Sequence, residues 1–218
     1  VQTCALPISL ELRIKNAVTE GDQAPFGPKY PVIGFRAVLD AVKTSAHWNA
    51  PVKPGQGRGL ACGYWFNAGL NSSATVTLHT DGTAAVLAGN PYIGGTRVAQ
   101  AMMVAEELGI PVEKVRPAVG DTDSAGYTDV TGGSRVCYAT GMAVVFAARD
   151  IRDQLRQRAA TQWGISVDEV GWTAGSAVPL TRTDELKPLS VAELAAGASK
   201  TGGPIIGRGA THAPTAGP

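Results

Sequence analysis

Two segments of the chain repeat one order of residue types. Gly94-Gly95-Thr96-Arg97-Val98 and Gly132-Gly133-Ser134-Arg135-Val136 each set paired glycines before a hydroxyl, an arginine and an apolar residue, and Thr131 precedes the second. The order suits an anion. Glycine lets the backbone approach a ligand and take positive φ. A Thr or Ser at a helix mouth caps the helix or donates its hydroxyl. The first-turn amides lack intrahelical acceptors, and the helix dipole favours negative charge there. The neighbouring guanidinium adds a fork of donors that matches phosphate. One copy reads more readily as a glycine-rich turn before a capped helix. Two copies, with hydroxyl and arginine in the same order, bring a second reading level with that one: two grips on one phosphorylated cofactor. No lysine follows the glycines, so this is neither a phosphate loop nor GxGxxG, and generic nucleotide binding is weakened.

Other residues carry plainer readings. Asp121-Thr122-Asp123 has the groups to bind a cation or act as acid and base, but Asp favours turns through local hydrogen bonds, and turn chemistry is the stronger expectation. Tyr127 either faces a substrate or anchors its loop. Tyr64-Trp65-Phe66 is expected in a strand with its rings in the core; a substrate wall is the lesser reading. Cys137 falls in the first turn of an expected helix, where a thiolate would be stabilised, yet no histidine is near it in sequence and a buried apolar role is expected. Arg149, Asp150, Arg152, Asp153, Arg156 and Arg158 read as a solvated helix face with local ion pairs. Cys4, Cys62 and Cys137 and the three histidines are scattered, with no CxxC. Side chains alone are therefore not expected to ligate a metal; a cofactor would hold it.

The elements that must position these residues follow from periodicity. The chain has 218 residues, 44% hydrophobic and 17% charged, with a formal net charge of +1. That balance argues against disorder and against a cationic field for nucleic acid or membrane. No apolar run reaches the roughly 18 residues needed to span a bilayer. Residues 10–19 read as the end of a helix and 32–48 as an amphipathic helix. A Pro- and Gly-rich linker over 51–57 marks a domain boundary. Beyond it, 59–68 and 73–80 read as strands, and Asp81-Gly82 as the turn to a paired strand over 83–88. Helices are expected at 98–108 and, as one long element with a small-residue face, at 135–161. Short strands are expected at 115–119, 167–172, 177–180 and Ile205-Ile206, and a short helix at 191–196. The class is α+β, with mixed sheets and packed helices. Residues 1–9 read as a non-native leader, and both ends read as cuts.

Residues 86–148 resemble the second molybdopterin-binding domain of the xanthine dehydrogenase/aldehyde oxidase family's large subunit. The resemblance is carried by Ala88-Gly89-Asn90-Pro91-Tyr92-Ile93-Gly94-Gly95-Thr96-Arg97, then Ala105-Glu106-Glu107-Leu108-Gly109-Ile110-Pro111 and Gly120-Asp121-Thr122-Asp123. It continues through Thr131-Gly132-Gly133-Ser134-Arg135 and Thr140-Gly141-Met142-Ala143-Val144. Residues 10–50, with Leu12-Arg13-Ile14-Lys15-Asn16 and Glu20-Gly21-Asp22, look like the end of the family's first molybdopterin-binding domain; residues 58–218 look like most of the second. The resemblance implies a molybdopterin cofactor with Mo, in some members a dinucleotide. It implies hydroxylation of an aldehyde or N-heterocycle with water as the oxygen source. Electrons would leave through 2Fe-2S clusters and usually FAD, on partner subunits or domains. Gly94, Gly95, Thr96, Arg97, Thr131, Gly132, Gly133, Ser134 and Arg135 are the expected cofactor contacts. A cytoplasmic location is favoured over a periplasmic one. Many members carry a Gly-Gln-Gly loop where this chain has Ile93-Gly94-Gly95-Thr96-Arg97, which puts that Gln contact in doubt. The general-base glutamate is expected beyond Pro218, so no catalytic base is assigned and the chain is expected to be inactive, and to fold poorly, alone. The alternative is a non-catalytic scaffold that binds an anionic ligand or a partner subunit.

Overall fold

The computed structural model describes residues 9–25, 27–63 and 65–215. The expected leader therefore lies, apart from Ser9, outside the described residues, as do Cys4 and Tyr64. Two compact units divide between Asn67 and Ala68. In the first, α1 (Ser9–Lys15) packs on α2 (Phe35–Thr44), followed by the single turn α3 (Ala46–Asn49). Leu10, Ala24 and Leu39 are buried there. Ser45 ends the expected 32–48 helix by capping α3, its Oγ accepting from the Trp48 N–H. Among the described residues of 59–66, no strand forms. Gly59 and Gly63 interrupt it, and Trp65 and Phe66 stack on each other, 67% and 41% exposed, rather than entering a core.

The second unit holds the main sheet. β1 (Leu70–Leu78) and β2 (Ala84–Ala88) form an antiparallel hairpin around Asp81-Gly82. Asp81 Oδ1 accepts from the Thr83 amide and hydroxyl, and Gly82 takes φ +79, as that tight turn requires. β3 (Val115–Val119) lies parallel to β2, reached through the crossover helix α4 (Thr96–Leu108), which ends at Gly109 with φ +71. β7 (Ile205–Ala213) pairs antiparallel with β1, giving the order β3-β2-β1-β7. Alternation along β1 and β2 turns Ala74, Val76, Ala84 and Val86 into the core.

The long helix α5 (Gly141–Trp163) lies against β7, β1 and α4. Its small-residue face does pack on the sheet: Ala143 and Ala147 meet β7 where Gly207 and Gly209 present no side chain. The helix does not begin at Arg135, however. Residues Val136–Thr140 form a π-helical turn, with the Gly141 amide bonded back to the Val136 carbonyl. The charged stretch of α5 is a solvated face only in part: Arg149 and Asp153 are exposed and Asp153 pairs with Arg156 at 3.6 Å, but its arginines also reach other elements. Arg149 and Arg152 both clasp Glu107 of α4, at 2.8 and 3.0 Å. Arg156 donates to the carbonyls of Val167 and Val170, and Arg158, 8% exposed, to Ala198 O and Thr201 Oγ1. These side chains use their long stems to tie α5 to neighbouring elements.

A second antiparallel sheet comprises β4 (Val170–Thr173), β5 (Ser176–Pro179) and β6 (Leu189–Ser190). It leads into α6 (Val191–Ala196), opened by a capping box: Ser190 Oγ accepts the Glu193 N–H at 3.3 Å and Glu193 Oε2 accepts the Ser190 N–H at 2.8 Å. Ser190→Ala is expected to lower stability by about 1 kcal/mol, read as a shift in urea midpoint.

Candidate functional site

Topology brings the two glycine segments to one edge of the sheet. β2 and β3 are parallel, so the loops that leave their carboxyl ends, 89–95 and 120–134, emerge side by side. The start of β1 and the end of β7 lie at the same edge, because both strands run antiparallel to their neighbours. The two loops touch: a Cβ on Gly89 would stand 2.7 Å from the Gly126 carbonyl oxygen. Between them lies a cleft of about 240 Å³ lined by Gly89, Gly120, Asp121, Ala125, Tyr127 and Thr128, among others. Thr128 Oγ1 is buried there with no hydrogen-bond partner among the described residues. Edges of this kind, beyond the carboxyl ends of parallel strands, are where α/β sheets place ligands.

The first segment opens a helix, as its order of residue types predicts. Gly94 and Gly95 sit at φ +47 and +83, and a Cβ on either would meet nothing within 4 Å. Open space therefore lies over the backbone ahead of α4. Gly95, not Thr96, is the N-cap; Thr96 is buried and its Oγ1 accepts the Ile93 N–H at 3.3 Å. The Thr hydroxyl is thus used within the loop. The Thr96 amide donates to Ile93 O, which leaves the Arg97 and Val98 amides as the first-turn donors without intrahelical acceptors. The Arg97 guanidinium stacks over the Tyr92 ring, 4.9 Å from its centroid, and its Nε is buried without a partner among the described residues.

The second segment is built differently. Gly133 and Ser134 both have positive φ, +62 and +55, and turn the chain so that Ser134 faces out and Arg135 faces in. Gly132 is exposed, with nothing within 4 Å of a Cβ placed on it. Arg135 is 0% exposed and donates to Gly69 O, Asn71 O, Ser72 Oγ, Asp129 O and Val130 O. Its guanidinium therefore points away from the surface that the exposed Gly132 and Ser134 form. Sequence alone missed this, because three of the acceptors, on Gly69, Asn71 and Ser72, lie more than sixty positions away at the start of β1 and just before it.

Asp129 closes the loop onto β1. Its carboxylate accepts the Asn71 N–H at 2.7 Å and the Tyr127 hydroxyl at 2.6 Å, and its own amide donates to Asn71 O. The Tyr127 hydrogen bond, then the Asn71 amide, hold the Asp129 carboxyl below its ordinary value of 3.8; the same contact raises the Tyr127 phenol. A carboxyl lowered in the folded state adds stability that is complete above about pH 4 and fades as pH falls through its folded value. Asp129→Asn is therefore expected to flatten the acid limb of stability below about pH 4, measured by urea midpoints. An unchanged limb would mean that the carboxylate does not hold the loop.

The remaining candidates resolve locally. Asp121 makes a turn, accepting the amides of Asp123 and Ser124 at 3.2 and 2.8 Å, and the Ser124 contacts lower its carboxyl. Tyr127 has an exposed ring and a tethered hydroxyl. Cys137 is exposed rather than buried. Among the described residues, no three His, Cys, Asp or Glu side chains converge as a metal ligand set, and no helix is long and apolar enough to cross a membrane.

Comparison with known proteins agrees with this architecture. The model of the molybdopterin cofactor-binding domain matches residues 37–217. The carbon monoxide dehydrogenase large chain of Hydrogenophaga pseudoflava is 33% identical over 105 residues, covering 48% of this chain and 13% of that one. A putative xanthine dehydrogenase molybdenum-binding subunit of Escherichia coli is 28% identical over 192 residues, 81% of this chain and 26% of that one. The chain thus spans about a quarter or less of the curated relatives it matches. The fold also superposes on reconstituted CO dehydrogenase from Oligotropha carboxidovorans, with a TM-score of 0.74 and 22% identity, over 94% of this chain and 30% of that one. With its family model matched across most of its length and its ordered motifs on the loops of one sheet edge, the chain belongs to the molybdopterin cofactor-binding domain family of the xanthine dehydrogenase/aldehyde oxidase type.

Proposed function

We propose that this chain forms the part of a molybdenum hydroxylase that cradles the anionic end of the molybdopterin cofactor. The observation that carries the reading is the pair of glycine segments on adjacent loops, with open space over Gly94, Gly95 and Gly132. The residues fit such a group. The Arg97 and Val98 amides supply donors at the mouth of a 13-residue helix, and the exposed Gly132 and Ser134 supply backbone and hydroxyl contacts on the second loop. Thr131 and Gly133 shape that second loop. Thr128 Oγ1 and Arg97 Nε, buried and without a partner among the described residues, are polar atoms that a ligand could satisfy.

When bound, the molybdenum–pterin group supplies the redox chemistry that hydroxylates an aldehyde or N-heterocycle with oxygen from water. The chain's own residues bind and orient it. On this reading residues 10–50 end one molybdopterin-binding domain, 51–57 link, and 58–218 belong to the next. Iron–sulfur and FAD centres on partner subunits or domains take the electrons, and the general-base glutamate stands elsewhere in the whole protein.

The chain's departure at Ile93-Gly94-Gly95-Thr96-Arg97, where many members of the family carry a Gly-Gln-Gly loop, favours one second reading: a scaffold that holds an anionic ligand without catalysis. Molybdenum and pterin quantified in the full-length native complex separate the two. About one of each per protomer, with oxidation of an aldehyde or N-heterocycle, is the expected result. Active preparations without molybdenum would overturn the proposal, and loaded but inactive ones would favour the scaffold.

A further inference from the structure

The guanidinium of Arg135 has five N–H groups, and the fold supplies five acceptors for them. Nε donates to Gly69 O at 2.6 Å. Nη1 donates to Asp129 O at 2.9 Å and Val130 O at 3.4 Å. Nη2 donates to Asn71 O at 2.5 Å and Ser72 Oγ at 2.6 Å. A phosphate could be bound only by breaking one of these bonds inside a side chain that is 0% exposed. Four of the acceptors are backbone carbonyls, divided between the start of β1 and the loop at 129–130. The side chain thus clamps that loop to the strand. Around the clamp, the Asp129 carboxylate accepts the Asn71 amide, and Gly133 O accepts the Ala68 N–H at 2.9 Å. The stretch between the two stitches carries exposed Gly132 and Ser134, and Ser134 is held at φ +55, a conformation that a residue with a side chain keeps only where its surroundings impose it.

We propose that Arg135 is a positioning residue: without touching the cofactor, its fork fixes the backbone of loop 129–135 so that Gly132 and Ser134 present their amides and hydroxyl to it. The proposal rests on the cofactor-cradling reading above. It separates two roles that the segment's order of residue types merges. The arginine shapes the loop, and the glycine and serine make the contact. Lysine keeps the charge but cannot reproduce a planar fork to five acceptors.

The test uses the full-length protein in its native complex, with Arg135→Lys, Arg135→Gln and Ser72→Ala. Molybdenum and pterin retained after dialysis are measured below the melting temperature of each variant, together with the thermal midpoint of the cofactor-free complex. Both arginine variants are expected to lower that midpoint and to retain at least tenfold less cofactor in the protein that remains folded. Ser72→Ala, which removes one acceptor and leaves the arginine, is expected to lose retention several-fold and keeps the test open if the arginine variants do not fold. Wild-type retention in Arg135→Lys would overturn the proposal, since charge alone would then suffice. Wild-type retention in folded Arg135→Gln, or in Ser72→Ala, would overturn it too, by reducing the clamp to a stability device. A wild-type complex that carries no molybdenum would overturn the cofactor reading and this proposal with it; a loaded wild type with unaffected variants would overturn the proposal alone.

Discussion

Gly209→Ala is expected to lower the stability of the fold by about 3 kcal/mol or more. A Cβ on Gly209 would fall on the Ala143 carbonyl oxygen and stand 2.6 Å from the Ala147 amide nitrogen, and one on Gly207 would fall on the Ala147 carbonyl oxygen. These are backbone atoms of α5, which cannot swing aside as a side-chain end can. The helix is held on its other flank by the Glu107 clasp to α4 and further along by Arg156 and Arg158. Overpacking a core costs typically 1–3 kcal/mol and more where the neighbour is rigid. Domains have only about 5–15 kcal/mol in hand. Soluble yield and urea midpoint measure the loss. Gly57→Ala, where nothing lies within 4 Å and φ is not positive, is the control that should change neither. A Gly209→Ala chain as stable as wild type would mean that α5 and β7 do not approach as closely as described.

Gly132→Asp should have the opposite profile, with a normal fold and a lost cofactor. The position is exposed, φ is not positive, and an added Cβ meets open space. Stability should move by no more than about 0.5 kcal/mol, as for ordinary surface changes. A carboxylate placed where an anion binds costs several kcal/mol in like-charge repulsion. Retention of molybdenum and pterin should therefore fall about 100-fold, since each 1.4 kcal/mol is a factor of ten. Gly132→Ala adds bulk without charge and should sit between the two. Full retention in a folded Gly132→Asp complex would show that this loop is not an anion contact.

Much of the second unit could be read from residue order. Asp81-Gly82 between alternating segments announced the hairpin, and Gly109 marked the end of α4. β3 and α6 fall at 115–119 and 191–196 as periodicity required. These elements follow local rules, so local sequence suffices. The failures share a different cause. β7 extends to Ala213, well past Ile205-Ile206, because Gly207 and Gly209, poor strand formers alone, are what lets α5 lie on the sheet. Residues 59–63, 65 and 66 have apolar and aromatic content but form no strand. Arg156 and Arg158 looked solvent-facing because their carbonyl partners belong to other elements.

The site divides in the same way. The paired glycines were visible as a pattern, and their conformations at 94, 95 and 133 agree with it. The inward turn of Arg135 was not visible, because it depends on Gly69, Asn71 and Ser72 being delivered by β1. The π-helical turn at Val136–Thr140 was also hidden. Its last residue, Thr140, is drawn into a buried hydroxyl contact with Ser72 at 3.1 Å. Turns of this kind concentrate at functional sites, and this one adjoins the proposed cofactor loop.

The most direct measurement is a structure of the full-length complex with its cofactor bound, read for the distance between the cofactor's phosphate oxygens and two sets of atoms. The first set is the amides of Arg97 and Val98; the second is the amides and hydroxyl at Gly132 and Ser134. At least one phosphate oxygen within about 2.7–3.2 Å of donors from each loop, with Arg135 still bonded to Gly69, Asn71 and Ser72, is the predicted result. A cofactor seated away from both loops, or one whose phosphate is held directly by Arg135, would contradict it.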